Sequence, residues 1–162
     1  MIRNHHSRVL NAEVTKIGKL IDDLSSNQDH FWPNKIWPAM HFDRPLQIGA
    51  NGGHADIRYE VSAYTPSQRI EFRFKAPVGF VGTHRFFIEP IGANQCILHH
   101  FLDIQPRGIA KLTWLIIRPI HDALLEDALD NATRFSGREP RQPASWSAYV
   151  RLMRWIMRLL IR

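Results

Sequence analysis

A single cysteine, Cys96, in 162 residues leaves no partner for a disulfide within the chain and too few thiolates for a cysteine-based zinc site. The signature loops of common catalysts are missing as well. There is no Gly-x-Ser-x-Gly nucleophile turn, no phosphate-cradling loop, no Gly-x-Gly-x-x-Gly turn and no His-Glu-x-x-His helix. No apolar run approaches the about 18 residues that a membrane-spanning helix needs. The opening residues Met1-Ile2-Arg3-Asn4-His5-His6-Ser7 are polar, and no apolar segment of the secretory type follows them. A cytoplasmic location is therefore expected. Cys96 sits mid-strand among apolar neighbours and reads as core packing rather than as a nucleophile. No cofactor is expected.

What is present is an uneven distribution of charge. The chain carries 21 Lys and Arg against 15 Asp and Glu. Residues 1–137 hold 15 of those bases and 14 of the acids, so the body is nearly neutral. Six arginines and one acid, Glu139, fall in residues 138–162. The breaker-rich run Ser136-Gly137-Arg138-Glu139-Pro140-Arg141-Gln142-Pro143 separates the two regions. The division is thus a domain over 1–137, a linker over 138–144 and a cationic helix over 145–162. Hydrophobic residues make up 44% of the chain, enough for a self-sufficient core in the body.

The body changes period twice. Ser7–Ala12 is a possible strand with poor alternation, and Val14, Ile17, Leu20, Ile21 and Leu24 recur at helical spacing over Ala12–Leu24. Phe31-Trp32-Pro33 and Trp37-Pro38 form an aromatic-proline loop, a candidate gate or plug. Leu46–Gly49 is the expected opening strand of a sheet, followed by a turn at Asn51-Gly52-Gly53. From there to Gln105 the period is two. Ile57, Tyr59, Val61 and Ala63 share one face, and Ile70, Phe72 and Phe74 another, as in half-buried antiparallel strands. A hairpin across Ile91–Asn94 follows. Helical spacing returns over Gly108–Phe135, with Leu112, Ile116 or Ile117, Ile120 or His121, Leu124, Ala128, Ala132 and Phe135 toward the sheet. Pro119 predicts a kink or two abutting helices. Arg118, Asp122, Glu126, Asp130 and Arg134 form an i,i+4 staircase that reads as a solvated face.

The element order, Gly49-Ala50-Asn51-Gly52-Gly53, the run Gly79–His84 and the run His121–Asp130 together resemble the START/Bet v 1-like (SRPBCC) superfamily. The resemblance covers about residues 2–136 and is greatest to the polyketide cyclase/dehydrase and lipid-transport group. It implies an α+β helix-grip fold, a curved antiparallel sheet wrapped around a long C-terminal helix, with an internal cavity for a hydrophobic ligand. No enzymatic motif of the superfamily carries over residue by residue.

Alternation places His84 and Phe86 on the inner face of one hairpin strand and Cys96, Leu98, His100 and Leu102 on that of the other. Folding the hairpin about 91–94 pairs positions summing to roughly 185, which sets His84 and His100 one diagonal step apart. His121 lies on the sheet-facing stripe of the long helix. The three histidines would converge on a cavity lined by Tyr59, Phe72, Phe74, Phe86 and Trp114. Imidazoles there can orient a ligand, act as general acid or base, or satisfy buried partners. A zinc site is the weakest reading, because the ligands would come from three elements without local spacing, and no metal is expected.

In the tail, Arg151, Arg154, Arg158 and Arg162 fall within an arc of about 80° at helical spacing. Apolar residues cover nearly all the rest, and Trp146 and Trp155 suit a headgroup layer. Trp146, Arg151, Arg154, Trp155 and Arg158 are thus candidates for contact with an anionic membrane surface, on its inner face. Packing on the chain's own body, on a second copy or on a partner protein are the alternatives. Nucleic acid is not expected, since the arginines form one narrow stripe beside a larger apolar face. The expected function is binding, and by extension transport, of a hydrophobic small molecule or lipid. A cyclase or dehydratase using His84 or His100, and an interaction module with a docking tail, are the alternatives.

Overall fold

The computed structural model describes residues 1–160. Arg162, the last arginine of the tail stripe, lies outside the described residues. The elements run β1 (Ile2–Leu10), α1 (Val14–Asp22), β2 (His41–Phe42), β3 (Asn51–His54), β4 (Ile57–Thr65), β5 (Arg69–Ala76), β6 (Gly82–Gly92), β7 (Gln95–Ile104), α2 (Ala110–Phe135) and α3 (Ala148–Leu160). One antiparallel sheet has the order β1-β7-β6-β5-β4-β3-β2, so the first strand closes against the last. The long helix α2 lies across the inner face and α1 packs beside it. This is the helix-grip arrangement.

The central strands follow the period-two reading. Ile70, Phe72, His84, Phe86, Ile88, Cys96, Leu98, His100, Leu102 and Ile104 are all buried on the inner face. Phe86 pairs with His100 and His84 with Leu102 across the β6–β7 hairpin. A register shift between Val61 and Ala63 in β4 breaks the alternation there. Tyr64 rather than Ala63 then packs on the core. Its hydroxyl donates to Asp22 on α1 at 2.8 Å, and the same carboxylate accepts from Ser67 N and Oγ at 2.8 and 2.7 Å. The helix crosses this β4–β5 turn so closely that a Cβ at Gly18 would strike Ser67.

Several expectations are corrected. Leu46–Gly49 is a turn, whereas Asn51-Gly52-Gly53 lies in β3. A side chain at Gly52 would meet the Phe42 ring and the His41 carbonyl, so glycine there is what lets β2 pair. The first strand starts at Ile2, well before Ser7. The helix α2 is continuous through Pro119, so the two abutting helices are not formed. Its first turns face outward at Leu112 and Ile116; of the two alternatives Ile117 turns inward, as does Trp114, an expected residue of the cavity wall.

In the charged staircase the three acids, Asp122, Glu126 and Asp130, face β1, whereas Arg118 and Arg134 at its ends are exposed. Arg8 donates to Asp130 at 2.9 Å and to Glu126 at 2.8 Å, and Asp130 is only 3% exposed. Two residues of strand rise about 6.7 Å and four of helix about 6 Å, so Asn4, His6 and Arg8 match Asp122, Glu126 and Asp130 rung for rung.

Residues 138–144 run back over the body: Pro140 is buried and Ala144 N donates to Asp130 at 2.7 Å. The helix α3 then packs on the body through Val150 and Arg154. No helix of the described residues is long and apolar enough to cross a membrane.

Candidate functional site

Between the inner sheet face, α2, the aromatic-proline loop and α3 lies a cavity of about 400 Å³ with mostly apolar walls. That volume lies within the range of small-molecule sites. Each wall follows from local sequence. Strand alternation supplies Phe74, His84, Phe86 and His100, and the inward stripe of α2 supplies Trp114 and His121. Those six are the expected lining residues that reach the cavity.

Two expected residues do not line it. Phe72 is fully buried and stacks on His84 at 4.8 Å between centroids. Tyr59 meets His84 edge-on at 5.0 Å and lines an adjoining recess of about 390 Å³ with His54, Arg58 and Lys75. The register shift at Arg58/Tyr59 sets it on that side of the sheet's curve.

Trp32, Trp37 and Pro38 complete the wall. Phe31 N and Trp32 N donate to Asp29 Oδ1 at 2.9 and 2.8 Å, and Trp32 Nε1 donates to the Pro38 carbonyl at 2.9 Å. These bonds hold the loop as a wall of the cavity. Its paired aromatic-proline steps were the visible signal. Met157 on α3 also reaches the cavity, which no local pattern in the body announces.

The polar groups converge. His100 Nε2 lies 3.4 Å from His84 Nδ1, and the His100 and His121 rings are 5.4 Å apart. Beyond that pair the polar capacity is unspent. His84 Nε2, His100 Nδ1 and the Tyr59 hydroxyl are buried with no hydrogen-bond partner among the described residues. Burial, reinforced by neighbouring histidine charges, holds His84 and His100 well below the ordinary imidazole range. Burial likewise lowers His121, and it raises the Tyr59 hydroxyl far above its usual value. At neutral pH the cavity presents uncharged hydrogen-bonding atoms in an apolar wall.

The tail residues divide into two groups. Arg151, Trp155 and Arg158 are exposed. Arg154 is buried and Trp146 half-buried, and both are engaged by the body. The Arg154 guanidinium lies over the Trp37 ring at 4.4 Å and near Trp146 at 5.8 Å. Both indoles donate to one oxygen of Asp127, Trp37 at 2.7 Å and Trp146 at 2.8 Å. This cluster fixes α3 over the cavity.

No protein-family model matches the chain, and no curated protein does. Solved structures do. A protein from Thermobifida fusca aligns at 14% identity over 85% of this chain and 95% of its own, with a TM-score of 0.64. CalU16 from Micromonospora echinospora aligns at 13% identity over 95% of this chain and 82% of its own, TM-score 0.62. Norcoclaurine synthase from Thalictrum flavum, in complex with dopamine and hydroxybenzaldehyde, aligns at 10% identity over 86% of this chain and 89% of its own, TM-score 0.61. At such identities the likeness establishes the fold alone: the chain has the helix-grip fold.

Proposed function

We propose that this helix-grip protein binds a hydrophobic small molecule of the lipid, isoprenoid or polyketide-like class in the cavity under α3. The observation that carries the reading is the pair of buried, unpartnered ring nitrogens, His84 Nε2 and His100 Nδ1, on residues that line an apolar space. An unmet buried polar atom costs about 1–3 kcal/mol, so a ligand hydroxyl or carbonyl that meets it recovers that cost. The apolar walls supply the remaining affinity.

The uncharged histidines favour binding over catalysis. A general base works best with a pKa near the operating pH, and burial has moved both imidazoles well below it. Acid/base chemistry of the cyclase or dehydratase type is the second reading, supported by the contact between the two rings.

The ligand would be exchanged at an anionic membrane surface. Leu152, Trp155 and Leu159 on α3 are 54%, 61% and 52% exposed. Ile109, Leu112, Leu115 and Ile116 at the start of α2 are exposed too, and Tyr149 Oη donates to the Ile116 carbonyl, joining the two helices. Arg107, Lys111, Arg118, Arg151 and Arg158 are exposed on the same helices and the turn before α2. Apolar side chains flanked by cations suit an interfacial docking face.

Native mass spectrometry of the gently purified full chain, followed by solvent extraction, tests the ligand reading. A single co-purifying apolar species, lost from the His84→Phe/His100→Leu variant, is expected. Its retention by that variant would remove the histidines from the site.

A further inference from the structure

We propose that His6, His121 and Asp122 form a binding site for one divalent transition-metal ion of the zinc class. The three donate from two elements: His6 from β1, His121 and Asp122 from α2. One ligand atom from each lies within 4.8 Å of the other two. Two of the separations are already those of a bound ion. His6 Nε2 and His121 Nδ1 sit 3.1 and 3.3 Å from Asp122 Oδ1. Ligand atoms on a tetrahedral zinc with bonds of about 2.0–2.1 Å are about 3.3 Å apart.

The rung is over-subscribed as it stands. Asn4 Nδ2 also donates to Asp122 Oδ1, at 3.0 Å, so three nitrogens crowd one oxygen. A carboxylate oxygen offers about two lone-pair sites. Among the described residues Asp122 Oδ2 meanwhile has only Arg118 Nε, at 3.6 Å. Asn4 Oδ1 is buried with no partner among the described residues. The next rung, Arg8 with Glu126 and Asp130, has no such excess and reads as an ordinary ion pair. An ion in place of the surplus donors relieves the crowding.

The surroundings fit. Glu126 Oε1 lies 2.7 Å from His6 Nδ1, the outer carboxylate that orients a ligating imidazole through its far nitrogen. Two imidazoles and one carboxylate suit zinc, cobalt or iron(II) better than calcium or magnesium, which take oxygen ligands. Three protein ligands leave a coordination position open. His121 also lines the cavity, so the ion would share one residue with the ligand site. Arg118 is the charge that works against it.

The test uses the untagged full chain, stripped with a chelator and titrated with Zn²⁺ by calorimetry and with Co²⁺ by visible absorption. One saturable ion per chain and a Co²⁺ spectrum of low coordination number are expected. His6→Gln and the isosteric Asp122→Asn should each weaken Zn²⁺ binding by at least about 100-fold, and Glu126→Gln by about 10- to 100-fold. His5→Gln, on the opposite face of β1, should leave it unchanged. Circular dichroism of each variant separates lost binding from lost fold. The absence of saturable binding, or equal affinity in folded His6→Gln and Asp122→Asn proteins, overturns the site.

Discussion

His84 Nδ1 and His100 Nε2 face each other at 3.4 Å on adjacent strands, and the other nitrogen of each ring is buried without a partner. The pair spends one contact on itself and leaves two polar atoms in an apolar region. For folding alone that arrangement is unfavourable. The double replacement His84→Phe/His100→Leu removes the unmet atoms and adds a little apolar volume, for which the cavity has room, so urea denaturation should show stability equal to or above the parent. Affinity for the cavity ligand should drop by at least about tenfold, the equivalent of roughly one lost hydrogen bond.

Stability should fall as the solution is acidified. His54 is pushed down to about 4 by burial and then by the charges of His121 and Arg58, and burial holds His84 and His100 well below the ordinary imidazole value. Between the ordinary histidine value of about 6.5 and those native values, the unfolded chain takes up protons that the folded one refuses. Their contribution is present at neutral pH and fades toward pH 4, at up to about 1.4 kcal/mol per pH unit for each group. His6 works the other way: burial lowers it, but hydrogen bonds to Asp122 and Glu126 outweigh that and raise it. His5 and His121 are lowered as well, so five histidines against one leave a net loss in acid. Denaturant melts at pH 7 and pH 5 should show it, and the double histidine variant should show a shallower slope.

Asp127 holds α3 to the aromatic-proline loop. Its replacement by alanine strands the indole N–H of Trp37 and of Trp146, and removes the anion near the buried Arg154. A loss of about 3 kcal/mol is expected from two broken charge-assisted bonds. Hydrogen exchange should quicken over 146–158 before it quickens in the central strands.

Membrane docking should be lost by substitution on the exposed side of α3 alone. Trp155→Ser with Leu159→Ser changes two exposed residues and leaves Val150 and Arg154 in place. Co-sedimentation with vesicles containing phosphatidylserine should weaken by at least about tenfold, given the apolar area removed. Arg151→Gln with Arg158→Gln should erase the preference for anionic over neutral vesicles. Equal pelleting of all forms would remove this face of α3 from the membrane contact.

The inner faces of β5, β6 and β7 were legible because strict alternation needs no knowledge of the partner element. Hairpin folding then set His84 beside His100 to within one residue of the observed register. The first strand was not legible in the same way. Its inner face carries Asn4, His6 and Arg8, and a binary pattern sends polar residues to solvent. Their partners, Asp122, Glu126 and Asp130, lie more than 100 positions away, and their own spacing looks like a solvated helix face.

The tail misled for a related reason. An arginine stripe on an amphipathic helix points outward by hydropathy, yet Arg154 is 6% exposed. Its companions are the rings of Trp37 and Trp146, and cation–π partners leave no local periodicity. Leu112 and Ile116 show the converse. They belong to an apolar stripe by spacing, but the cavity admits Trp114 and Ile117, and the surplus faces outward.

The central claim is that an apolar ligand occupies the space under α3. The most direct measurement is a fluorescence titration of anilinonaphthalene sulfonate against the full chain and against Ile117→Trp, which fills the cavity from α2 with a larger ring. One saturable probe per parent chain is expected, with binding lost in the variant while its cooperative unfolding is retained. Equal binding to a folded Ile117→Trp protein would place the probe elsewhere and contradict the account.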